Sequence, residues 1–200
     1  MQLIEAYAKL KALNLSYLHT RDVSAYFNIS ISYASKLLLR LSKSNQIIYL
    51  RRDIWAFPDV DRFALPAILT APFPTYISLQ SALYYHGMIT QIPEILYAVS
   101  LARTAVFKTL LATVSIHHIQ TDFFFGYEST SNEIIKMATP EKALIDTLYL
   151  SNTKSKWFHA LPELEFPTHF KIKKAREFIK KIPSERKKTL VESCFNKIIQ

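Results

Sequence analysis

The chain has 200 residues, half of them hydrophobic, a single cysteine and a formal net charge of +9. That length allows one large or two small domains with a sizeable core. Cys194 alone excludes an intrachain disulfide and a cysteine-cluster zinc site, and the apolar runs are broken well short of a membrane span.

The charge is unevenly spread: +4 over residues 1–65, −2 over 66–150 and +7 over 151–200. Basic ends around a mildly acidic middle favour polyanionic partners through counterion release, although a basic tail also serves solubility alone. The opening residues, MQLIEAYAKLKAL, place Leu3, Ile4, Tyr7, Leu10 and Leu13 at helical spacing around an early Glu5. They predict a helix over 1–13 and lack the basic start and cleavage site of a secretory signal. A reducing, cytoplasmic setting is the expectation.

Residues 20–57 carry the sharpest pattern. Thr20 is an expected N-cap for a helix over Arg21–Phe27, in which Val23, Tyr26 and Phe27 share a face. Asn28 stands where a tight turn needs a residue tolerant of positive φ. Ser30 or Ser32 then caps a second helix reaching about Ser44, with Ala34, Leu37, Leu38 and Leu41 as its apolar stripe. Its other face offers Ser32, Tyr33 and Ser35 near the start, and Lys36, Arg40 and Lys43 further along. A recognition helix needs such an order, with base contacts from its N-terminal part and phosphate contacts from its flanks.

Two β-prone runs follow, residues 46–50 and 54–57, around the charged turn Arg51-Arg52-Asp53. Helix, turn, helix and basic hairpin predict a winged helix-turn-helix over residues 1–57, with Arg51 and Arg52 reaching phosphates or the minor groove. The turn lacks glycine, which leaves its type open. A polar helix face with Lys and Arg also arises merely from solvation.

Pro58, Pro66, Pro72 and Pro74 mark residues 58–74 as a docked linker. A mixed α/β domain is expected over 75–150. It has a helix capped by Ser78 and ended by Gly87, a strand over 95–101 and a short helix over 104–113. Further strands follow over 114–119, 123–127 and 133–138. Thr139-Pro140-Glu141 starts another helix. Residues 151–200 read as a basic helical tail with helices over 169–182 and 184–199, separated by Pro183. The fold class is therefore α+β.

The segments YISLQSALYYHGMITQIP (76–93) and MATPEKALIDTLYL (137–150) resemble the signature segments of the AbiEi-type antitoxins. These are regulators of the abortive-infection class of bacterial type IV toxin–antitoxin pairs. Residues 1–57 resemble that family's N-terminal winged helix, so the likeness covers about 1–150. Asp53 departs from it where the family's wing often has glycine.

The resemblance implies an antitoxin and autorepressor that binds inverted repeats in its own promoter, with a second domain supporting cooperative binding and antitoxicity. It implies a nucleotidyltransferase-like toxin countered without a stable complex. In this chain the implied DNA-facing residues are Ser32, Tyr33, Ser35, Lys36 and Arg40, with Arg51 and Arg52 in the wing; the helix face itself adds Lys43. The second domain matches at Ser78, Ser81, Ala82, His86, Gly87, Glu141, Lys142 and Asp146, most of which have structural readings as caps or packing residues. A monomer or weak dimer, with no membrane and no cofactor, is expected.

An enzymatic reading has thin support in the sequence. His117 and His118 point to opposite faces of a strand and cannot easily share a metal. Two glycines, Gly87 and Gly126, make no phosphate loop. Glu141 and Asp146 lie about 140° apart around a helix axis. The rival expectations are a nucleic-acid-processing enzyme with a winged-helix targeting domain, and a winged-helix module that binds protein.

Overall fold

The computed structural model describes residues 2–130, 134–151 and 163–199. The architecture is mixed α+β. Its first part runs α1 (Leu3–Lys11), β1 (Tyr17–His19), α2 (Thr20–Phe27), α3 (Ile31–Lys43), β2 (Ile48–Arg51) and β3 (Ile54–Ala56). The three strands form an antiparallel sheet of order β1-β3-β2.

Thr20 is the first residue of α2 rather than its cap. Its Oγ1 accepts a hydrogen bond from Trp55 Nε1 at 3.1 Å, which ties the helix to β3. The expected turn residue Asn28 has φ 51° and closes α2. Ser30, not Ser32, caps α3 by accepting from the Tyr33 amide at 3.2 Å.

Every residue of β3 is buried, because its sheet is covered on both sides. Trp55, Ile47 and Leu18 join Val23, Leu37, Leu38 and Leu41 in the core of the helical cap. Leu50, Ile54 and Ala56 belong instead to the larger core, with Leu65, Ile68 and Leu69. Those three lie in α4 (Leu65–Thr70), inside the stretch expected to be a linker. Pro66 sits in its first turn, where the missing N–H costs nothing.

The second part is a six-stranded mixed sheet of order β6-β7-β5-β4-β9-β8. Its strands are β4 (Thr75–Ile77), β5 (Ile95–Ser100), β6 (Ala105–Lys108), β7 (Thr113–His118), β8 (Tyr127–Ser129) and β9 (Lys136–Ala138). The helices are α5 (Leu79–Tyr85), α6 (Pro140–Ser151), α7 (Ile172–Lys180) and α8 (Glu185–Ile198).

Two expectations fail here. Residues 105–108 form an edge strand paired antiparallel to β7, not a helix. The expected strand over 123–127 is a 3₁₀ turn at Thr121–Phe123 followed by extended chain that enters β8 only at Tyr127. The first residue of the strand expected over 133–138 lies outside the described residues, and pairing begins at Lys136. Both tail helices form, somewhat shorter than expected. Among the described residues no helix is long and apolar enough to cross a membrane.

Candidate nucleic-acid interface

The turn between α2 and α3 is fixed by backbone and side chain together. The Ile29 amide donates to the Ser24 carbonyl at 3.0 Å, and Ser24 Oγ donates back to the Ile29 carbonyl at 2.6 Å. With Asn28 left-handed, the chain reverses within two residues and enters α3 at a set angle.

Along α3, Ala34, Leu37, Leu38 and Leu41 are buried. Ser32, Tyr33, Ser35, Lys36, Arg40 and Lys43 are all exposed, so one surface carries all six α3 positions singled out from the sequence. The helix has no acidic residue, and none of its cations enters an ion pair among the described residues. Arg40 and Lys43 occupy the last turn, where the helix dipole favours positive charge.

The hairpin departs from expectation. Arg51 pairs with Ile54, so the tip is only Arg52-Asp53, and Asp53 takes the positive φ of 69° that glycine would otherwise supply. The tip is folded against the start of α2. The Asp53 carbonyl accepts from the Thr20 amide at 3.1 Å, and its carboxylate lies 3.6 Å from both His19 Nδ1 and Arg21 Nε.

Arg51 lies in β2 rather than at the hairpin tip. Half-buried, it donates from Nη2 to the Ala71 carbonyl at 3.3 Å, at the end of α4. A strand residue beside a sheet face that is itself covered has its side chain claimed by the covering helix, which the sequence did not reveal. Arg52 is exposed, as expected.

Three of the second-domain matches, Ser78, Lys142 and Asp146, meet Tyr76 in a buried polar cluster, a grouping that their spacing in the sequence does not show. Lys142 and Asp146, one turn apart on α6, pair at 2.5 Å with both side chains 0% exposed. The other Asp146 oxygen accepts from Tyr76 Oη at 2.9 Å and Ser78 Oγ at 2.8 Å. Lys142 Nζ also donates to the Phe123 carbonyl at 3.0 Å and lies 3.6 Å from that residue's ring centroid. Ser78 thus spends its hydroxyl on Asp146 and caps nothing.

Burial pushes the Lys142 ammonium down, opposed by Asp146, and drives the Tyr76 phenol well up, reinforced by the same carboxylate. The cluster is sealed from solvent and satisfied internally, so it holds β4 to α6 rather than meeting a ligand. Its sequence signal was a Lys and an Asp at i, i+4 inside an otherwise apolar helix.

A cleft of about 460 Å3 lies where α5, β8, β9, α6 and the start of α7 meet. Glu141 lines it from a nearly buried position, accepting from the Lys171 amide at 3.0 Å and lying 3.3 Å from Lys174 Nζ. Burial alone would raise its pKa, but the backbone donors and Lys174 hold the carboxyl below its ordinary value. Its role is therefore more than a first-turn acid.

His86 faces the same cleft. Its Nε2 lies 2.7 Å from the Ala138 carbonyl, which fixes the proton on Nε2, and burial lowers its pKa. His117 is buried beside Ser115 and pushed down to about 4 by desolvation, whereas His118 is exposed, with Nδ1 3.1 Å from the Ala102 carbonyl. Among the described residues, no three or more His, Cys, Asp or Glu side chains gather as a metal site. No protein-family model matches the chain, and no curated protein matches it.

Proposed function

We propose that this chain is a DNA-binding transcriptional regulator that reads duplex DNA through α3. The observation that carries the reading is the outward face of that helix, which bears three cations, two serines and a tyrosine, no acid, and no ion pair among the described residues. The element order α1-β1-α2-α3-β2-β3 and the strand order β1-β3-β2 support a winged helix-turn-helix.

On this reading α3 lies in the major groove. Ser32, Tyr33 and Ser35 approach base edges, and Lys36, Arg40 and Lys43 approach phosphates. The wing is short, and Arg52 is its contact. Arg51 instead ties the sheet to the end of α4, and Leu50, Ile54 and Ala56 of that sheet join the larger core.

The biological role we propose is that of a bacterial, cytoplasmic, non-enzymatic antitoxin and autorepressor acting on promoter inverted repeats. It rests on the likeness of residues 76–93 and 137–150 to the AbiEi-type antitoxins.

Replacing Lys36 and Arg40 together with alanine tests the DNA reading. Both side chains are solvent-facing, so the fold is retained, which circular dichroism and thermal melting check. Affinity in a gel-shift titration against duplex DNA is expected to fall strongly, and by a similar factor for every duplex sequence. Unchanged affinity would reject α3 as the contact helix.

A further inference from the structure

The exposed face of α3 is divided lengthwise, and the division deepens the proposed DNA reading on which it rests. At about 100° per residue, Tyr33, Lys36, Arg40 and Lys43 fall within one sector of roughly 80°. Ile31, Ser35 and Leu39, at i, i+4 and i+8, fall in the adjoining sector of similar width, and Ser32 lies on the boundary. Ile31 is 58% exposed and Leu39 50% exposed. One side of the surface is therefore a cationic rail and the other an apolar rail with a serine between its two hydrophobic residues.

An exposed Leu is ordinary by itself. Two large aliphatics on one rail of a helix whose other rail is cationic, with no acid on either, are a more specific arrangement. The cationic rail selects a polyanion, so the apolar rail meets whatever apolar surface that polyanion offers beside its phosphates. In the major groove of duplex DNA that surface is the 5-methyl group of thymine.

We infer that Leu39 and Ile31 are specificity-determining residues that read thymine methyl groups while Lys36, Arg40 and Lys43 hold the neighbouring phosphates. The two aliphatics are eight residues apart, about 12 Å along the helix, a span of roughly three to four base pairs. The preferred site accordingly contains thymines separated by that interval.

The test uses the full chain and a duplex recovered by selection from a random-sequence library. Each thymine of the recovered site is replaced in turn by deoxyuridine, which removes only the methyl group. We expect two replacements to weaken binding about fourfold each, the factor corresponding to one buried methyl. In the Leu39→Ala protein one of these positions becomes indifferent to the change, and in Ile31→Ala the other does. Both residues are exposed, so the variants stay folded.

If every deoxyuridine duplex binds as well as its parent, the inference is overturned while the DNA reading stands. It is overturned equally if the same losses persist in both variants. If selection enriches no sequence and the chain binds no duplex at low salt, the DNA reading itself fails. If Leu39→Ala and Ile31→Ala alter oligomeric state without altering thymine preference, the apolar rail serves a protein contact and the inference falls.

Discussion

Helices α3 and α6 are of nearly equal length, 13 and 12 residues, and they place their cations oppositely. On α3 the cations recur along a solvent-facing strip without an acid among them. On α6 residues Pro140 to Leu150 are all buried, and Lys142 meets its counter-charge one turn away. A lysine whose partner is built into its own helix has no charge left to offer a ligand. A lysine kept in water, away from acids, retains its field for a polyanion. The two helices differ in charge as well, three cations without an acid on α3 against one lysine and two acids on α6, and the placement of those acids decides what each lysine can do.

The sharpest way to break that contrast is at α6. Asp146→Ala leaves the Lys142 ammonium unpaired in the core and strips Tyr76 and Ser78 of their acceptor. A loss of roughly 3–5 kcal/mol is expected in urea denaturation. A loss below about 1 kcal/mol would mean that the buried pair does not hold β4 to α6.

Next in size is a pH effect centred on His117. In the fold this imidazole stays neutral down to about pH 4, against an ordinary value of 6.5. The unfolded chain takes up the proton first, so stability should fall as pH drops from about 6.5 towards 4. The full difference corresponds to roughly 3 kcal/mol. His117→Gln should remove this component, read as the difference in pH slope between the two proteins in denaturant titrations. Parallel slopes would reject it.

Gly126 tests how tightly Lys142 is packed. Its φ is +77°, and an added Cβ would stand 3.0 Å from Lys142 Cγ. Gly126→Ala is expected to cost roughly 1–3 kcal/mol, with binding to duplex DNA unchanged under conditions where the protein is folded.

The smallest effects separate two neighbouring arginines. Arg52→Ala should leave the melting temperature alone and make the salt dependence of DNA binding shallower by about 0.9, the share of one phosphate. Arg51→Ala should do the reverse, costing about 1 kcal/mol of stability and leaving the slope intact. If the two substitutions behave alike, the hairpin does not divide its roles as described.

Much of the N-terminal part was legible because its signals are local. Asn28 at the turn, a serine cap and the stripe of Ala34, Leu37, Leu38 and Leu41 each depend on neighbours within a turn or two. What escaped depends on distant partners. Residues 105–108 read as helix because their strand identity comes from β7. The aromatic run Phe123–Phe125 looked like a strand, but the rings of Phe123 and Phe125 lie 3.6 and 4.7 Å from the Lys142 ammonium, and the chain turns to bring them there. Prolines at 58–74 suggested a linker, yet Pro66 sits in the first turn of a helix that belongs to the larger core and packs on β4. The placement of the Arg51 side chain escaped for the same reason, since its acceptor at Ala71 is twenty residues away.

The central claim is that the exposed cations of α3 contact a nucleic-acid backbone. It is tested most directly by the affinity of the full chain for a duplex measured by fluorescence anisotropy over a series of salt concentrations. With several phosphates neutralised, the plot of log K against log salt should have a slope of about −3 or steeper. It should become shallower by about 2 in the Lys36→Ala/Arg40→Ala protein. A slope that is the same in both proteins, or flat in the wild type, would contradict the account.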